Sequence, residues 1–137
     1  MNFALKNFLV VVSGALLGGI ANMACLTVGG ILLPPPTGID VNSTEGLASG
    51  MHLMQPKHFL FPFIAHAVGT FVGACVIARF AASRRLQLAM LVSTVFFAGG
   101  LWMVLILPSP MWFNALDLVL AYYPMGWLGY RLCGKRE

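Results

Sequence analysis

Residues 8 to 33, FLVVVSGALLGGIANMACLTVGGILL, run without a charged side chain. An α-helix rises 1.5 Å per residue, so about 20 apolar residues cross the roughly 30 Å hydrocarbon core of a bilayer, and this run is long enough to do so with tilt. Lys6 ahead of it and the small residues Gly19 and Ala21 within it are similar to the start of a secretory signal. The hydrophobicity continues to Leu33, however, well past a signal's apolar stretch of roughly 7–15 residues, so the segment is read as a retained span.

Working outward, three more runs have membrane length: approximately His58–Phe80, Leu86–Leu107 and Ala115–Leu132. Composition agrees. The 137 residues are 59% hydrophobic and 9% charged, with mean hydropathy +0.87, against about 25% charged in a soluble domain. Eight Lys plus Arg and four Asp plus Glu cannot coat a globule of this size, so the apolar surface has to face lipid. The expected architecture is one domain, residues 1–137: an all-α, integral membrane four-helix antiparallel bundle with a short amphipathic helix in its outer loop.

The net charge of +4 does not point to nucleic acid, because the basic residues sit in short groups at the ends of apolar runs rather than along one face. Lys6, then Arg79, Arg84 and Arg85, then Arg131, Lys135 and Arg136 fall on one side, while Lys57 stands alone on the other. Basic residues in short loops stay inside, so both termini are expected in the cytoplasm, with the chain in a plasma membrane and a bacterial inner membrane as its setting. Trp112 near the outer boundary and Trp127 with Tyr130 near the inner one suit aromatic belts.

The outer loop, Pro34 to Lys57, opens with Pro34-Pro35-Pro36, a stiff extended exit from the membrane. Ser43 or Thr44 is placed to cap a short helix ended by Pro56. On it Leu47, Met51 and Met54 recur at helical spacing, with Glu45, Ser49 and His52 opposite. Such a helix lies on the membrane surface or over the bundle mouth. Met51, His52, Met54 and His58 together hold the thioether and imidazole groups that suit Cu(I), although Met51 and Met54 are better explained as the helix's apolar face and His58 as a residue at the membrane entry. Asn42-Ser43-Thr44 also fits a glycosylation acceptor, which matters only in a secretory-pathway organism.

Two constellations stand out inside the spans. Gly14, Gly18, Asn22, Cys25 and Gly29 form a narrow stripe on the first helix, and Ala65, Gly69 and Gly73 repeat small-xxx-small spacing on the second. Small residues let helix backbones approach closely, and close packing replaces the hydrophobic drive that lipid cannot supply. Gly14, Gly18, Gly69 and Gly73 are therefore the expected seam. The second constellation is polar: Asn22, His66, Asn114 and Asp117 lie within spans, where an acidic side chain costs at least about 2.5 kcal/mol unless it faces protein or water. If the inward stripes meet, these four converge in the outer half of the bundle. They then form either a proton- or solute-binding site or a buried interhelical hydrogen-bond set that fixes register.

Cys25, Cys75 and Cys133 stand far apart without C-x-x-C spacing and are read as isolated, inert thiols. The chain has no G-x-S-x-G, no H-E-x-x-H and no glycine-rich phosphate loop, so no catalytic residue, cofactor or metal site is assigned. Four short helices enclose little space, so a homo-oligomer or another membrane protein is the expected partner besides the lipid bilayer. Two function classes follow: a small transporter or channel for protons or a small solute, and a non-catalytic accessory or scaffold subunit that packs through its glycine stripes. An intramembrane enzyme and an outer-side copper binder have less support.

Overall fold

The computed structural model describes residues 2–134, which form helices joined by short connections. In chain order the α-helices are α1 (Phe3–Leu32), α2 (Thr44–Gly50), α3 (Leu60–Phe80), α4 (Arg85–Ile106), α5 (Met111–Leu120) and α6 (Tyr123–Cys133). Two 3-10 turns, Met51–Leu53 and Pro56–Phe59, connect α2 to α3. Three helical segments are long and apolar enough to cross a membrane: Phe3–Leu32, Pro56–Phe80 and Arg85–Ile106.

Helix α1 starts earlier than the apolar run that announces it, because the side chain of Asn2 accepts a hydrogen bond from the Ala4 N–H and caps the first turn. It ends where three consecutive prolines can no longer donate backbone hydrogen bonds. Its buried residues are Gly14, Gly18 and Gly29, and most of its large side chains are exposed, such as Leu16 and Ile20 at 63% and 65%. That division leaves one glycine face for protein and the rest for lipid.

The expected fourth span is corrected by the structure. In place of one helix over residues 115–132 there are two, α5 of 10 residues and α6 of 11, broken at Ala121 and Tyr122. Pro124 is the reason. It has no N–H to donate, and its ring would collide with the carbonyl four residues back, so a continuous helix through Leu120 is forbidden. The chain stops at Ala121, whose N–H closes onto Asp117, and restarts with the Gly126 N–H bonded to Tyr122. Pro124 then sits in the first turn of α6, where a missing donor is harmless. Each piece is about 15–17 Å long, too short to cross a bilayer alone.

Contacts set the helix directions. Gly14 faces Gly73 and Gly18 faces Gly69, so α1 and α3 run antiparallel with their backbones in contact. Ser93 lies against Gly126 and Tyr122 against Gly100, so α4 and α6 are antiparallel. Gly129 lies against the backbone of Phe71 and Cys75, and Cys75 is joined to Cys133, which sets α6 parallel to α3. Thus α3 is the central helix, buried at Ala65, Gly69, Thr70, Gly73, Ala74, Ile77 and Ala78.

The bundle has two distinct ends. At the end holding the α3–α4 turn, Asn7 reaches from α1: its side-chain oxygen accepts from the Ala82 N–H at 2.9 Å and its amide donates to Ser83 Oγ at 3.1 Å. Arg84 closes that turn in the left-handed region, with φ 52°. At the opposite, loop end, α2 and the two 3-10 turns fold over the helix tips. Ser43 caps α2 by accepting from the Gly46 N–H. Met51 is buried against Phe59 and Phe113, flanked by Leu47 and Met54, while Glu45, Ser49 and His52 are exposed. The amphipathic loop helix therefore lies over the bundle mouth, and it is shorter than its apolar spacing suggests because α2 tightens into a 3-10 turn at Met51. Lys135 and Arg136, counted above toward orientation, lie outside the described residues.

Candidate functional site

Beneath the folded-over loop lies a chamber of about 530 Å³. Its walls come from the loop-end halves of α1, α3 and α4, from α5 and from the loop itself. Most lining side chains are apolar, including Met23, Met51, Met54 and Met103 and the rings of Phe59, Phe61 and Phe113. The polar groups are Thr27, Asn42, His58, His66, Ser109, Asn114 and Asp117, and among the described residues no Lys or Arg lines the space.

His66 and Asp117 meet at this chamber. His66 Nδ1 lies 2.9 Å and 3.0 Å from the two carboxylate oxygens of Asp117. Tyr122 donates its hydroxyl to Asp117 Oδ2 at 2.9 Å. The Asp117 carboxylate, 3% exposed at its side chain, is thus enclosed by two donors, while the His66 side chain keeps 26% exposure. Because Nδ1 faces a carboxylate, the proton belongs on Nδ1, leaving Nε2 as a bare acceptor in the neutral ring. Among the described residues no buried side-chain nitrogen or oxygen lacks a partner, so Nε2, which makes no hydrogen bond to protein, is accessible, and His66 lines the chamber.

Each element holds its part for a local reason. His66 is anchored on the central helix, and Thr70 donates back to its carbonyl at 2.8 Å. Asp117 is in the last turn of α5, just before the break. The break lets Tyr122 turn back onto it. The Tyr122 ring stacks on His66 with centroids 5.8 Å apart, meets Phe97 edge-on, and carries its hydroxyl over Gly100, where any side chain would collide with it.

The remaining polar residues separate. Asn114 lines the chamber but is bound to Ser109, accepting from its hydroxyl at 2.6 Å and donating to its carbonyl at 3.3 Å, so it secures the entry to α5. Asn22 does not line the chamber. Its Cα and Cβ pack against Gly69 in the α1–α3 seam, because the stripe that carries it is the stripe that α1 turns toward α3. Tyr122 and Ser109 were not singled out in the sequence, and a tyrosine two residues before a proline carries only a weak signal there.

The cysteine reading is also corrected. Cys75 and Cys133 form a disulfide across 58 residues, with Cα atoms 5.1 Å apart, because the parallel packing of α6 on α3 brings the two together. Cys25 is free and half-buried. Of the four loop-end Met and His residues, Met51, Met54 and His58 line the chamber. Met51 is in the core, His52 is exposed, and His58 Nδ1 accepts the Gln55 N–H at 2.9 Å as part of a capping box. Among the described residues no three His, Cys, Asp or Glu side chains are grouped for a metal ion.

No protein-family model, curated protein or solved structure matches this chain.

Proposed function

We propose that the protein is a small transporter, handling protons or a small solute, that works through His66 and Asp117. In this reading it crosses a bacterial inner membrane four times, the fourth crossing made by α5 and α6 in series, with both termini cytoplasmic and the chamber facing outward. The observation that carries the reading is the His66–Asp117–Tyr122 group at the wall of a chamber, since a purely structural hydrogen bond needs no open space beside it. A basic nitrogen whose other ring N–H is held by a carboxylate is the arrangement that accepts and releases protons.

The accessory reading is less well supported, because Gly14 and Gly18 are consumed by the seam with Gly73 and Gly69 and are not free to seat another protein. A homo-oligomer would therefore use other faces. The proposed orientation puts the Cys75–Cys133 bond toward the cytoplasmic side, where its position between α3 and α6 would have to shield it from cellular thiols.

The test is flux in proteoliposomes. The parent protein should dissipate an imposed proton gradient, or do so when a co-transported solute is supplied. Asp117→Asn keeps shape and hydrogen bonding but removes the charge, and with His66→Ala it should reduce flux to the level of empty liposomes while the bundle stays folded. Undiminished flux in both variants overturns the site. Single cysteines at Ser43 and Ser83, in a background lacking native cysteines, should label from opposite sides, and labelling from one side overturns the topology.

A further inference from the structure

The chamber's chemistry restricts what it can hold, and this inference rests on reading it as a solute site. Anions are disfavoured because no Lys or Arg among the described residues lines it. A bare inorganic cation would need several free oxygens, whereas those of Asp117 are occupied by His66 and Tyr122. Beside Thr27, Asn42 and His58, the acceptor next to the buried carboxylate is His66 Nε2, in a largely apolar space lined by methionines and phenylalanines.

The route into that space is also visible. At mid-height the Phe96 ring of α4 lies against Gly18 of α1 and Gly73 of α3 and closes the bundle below the chamber. Above it, toward the loop end, Met23 of α1 and Met103 of α4 both line the chamber and are 59% and 36% exposed at the outer surface of apolar helices. Thr27 and Gly30 line it and are exposed as well. Side chains that line the chamber and are also exposed mark a side opening between α1 and α4, and Val41 and Asn42 mark another at the loop end in the same way. A solute entering between the helices comes from the bilayer, and a lipid-soluble one takes that route.

We infer that the chamber binds an uncharged, lipid-soluble amphiphile with a hydroxyl head, of the alkylphenol class, which enters between α1 and α4 and donates its O–H to His66 Nε2. A volume near 530 Å³ falls in the range of roughly 300–1,000 Å³ that encloses such molecules. The methionine side chains conform to a ring or a short tail, and Asp117 keeps the His66 proton on Nδ1 so that the acceptor points at the ligand.

The probes are 4-hexylphenol and 4-hexylanisole, which differ in the O–H donor, titrated into the parent protein in lipid nanodiscs with imidazole-15N histidine. The phenol should saturate and shift the His66 Nε2 resonance. The anisole should leave that resonance in place and bind roughly twofold to tenfold more weakly, the value of one net hydrogen bond. Met103→Trp, at the lipid-facing opening and outside the core, should slow or weaken phenol binding. Equal affinity for the two probes, or a phenol that binds without moving Nε2, overturns the inference using the parent protein alone. Phenol binding without flux in proteoliposomes supports this inference and removes the transport reading. Flux without a phenol-dependent shift does the reverse.

Discussion

Substituting Gly18 by alanine tests the α1–α3 seam at its closest backbone approach. A Cβ there would stand 2.5 Å from the carbonyl oxygen of Gly69 and 2.8 Å from Cζ of Phe96. The ring can turn aside, but the carbonyl belongs to the backbone of the central helix. Contacts closer than 3.4 Å are rare for a real Cβ, so α1 and α3 must part by up to roughly 0.9 Å. A gap of that order forfeits about a quarter to a half of each dispersion contact along the seam. Overpacking of this kind costs about 1–3 kcal/mol, partly offset by the roughly 0.5–1 kcal/mol by which alanine favours a helix over glycine. Gly19 is the internal control, since a Cβ there meets nothing within 4 Å. Gly19→Ala should therefore be neutral or stabilising, and the neighbouring pair should differ by about 2 kcal/mol. Unfolding of purified protein in mixed micelles by increasing SDS, followed by circular dichroism, measures the difference. Equal midpoints, or a Gly18→Ala protein more stable than Gly19→Ala, would refute the seam.

Tyr122→Phe keeps the ring against His66 and Phe97 but removes the donor to Asp117 Oδ2, and should lower stability by about 1–3 kcal/mol in the same assay; no change would mean that the hydroxyl is not satisfying the carboxylate. The Cys75–Cys133 bond closes a long loop, so Cys133→Ser should destabilise by up to about 4 kcal/mol, and the intact parent should weigh about 2 Da less than its reduced form by mass spectrometry. At the loop end, hydrogen bonds from the Ser43 hydroxyl and then the Asn42 N–H hold the Asp40 carboxyl below its ordinary value of 3.8. A lowered folded-state value means that this support is complete above pH 3.8 and is lost as pH falls through the folded-state value. Amide exchange at Gly46, whose N–H is bonded to Ser43 Oγ, should accelerate in that acid window in the parent beyond its ordinary pH dependence, and an Asp40→Asn variant should lack the step.

How legible this was in the sequence differs from residue to residue. The three long helices followed from the length of uncharged runs, and some boundaries from local chemistry: the Pro34–Pro36 stop after α1, and Ser43, one of two candidates, as the cap of α2, whereas the Asn2 cap of α1 was not read. The apolar face of the loop helix was also readable, because Leu47, Met51 and Met54 share a side at helical spacing. The break in α5–α6 was available in principle from Pro124, but the run around it is apolar enough to read as one span. Missing the break meant missing Tyr122. In a continuous helix residues five apart point about 140 degrees away from each other, so Asp117 and Tyr122 have no reason to meet until the helix stops between them.

The sequence by itself determined what is local and additive: apolar length, glycine spacing along one helix face, cap residues, and the expense of leaving His66 or Asp117 in hydrocarbon. Only the tertiary structure decided which faces meet. Helical periodicity orients each side chain about its own axis but carries no information on the rotation and register of one helix against another. Asn22 thus went to the glycine seam and Asn114 to Ser109, while His66 reached Asp117 across 51 residues and Cys75 reached Cys133 across 58. The chamber belongs to the same category, because a cavity is the space left between packed surfaces and no single segment encodes it.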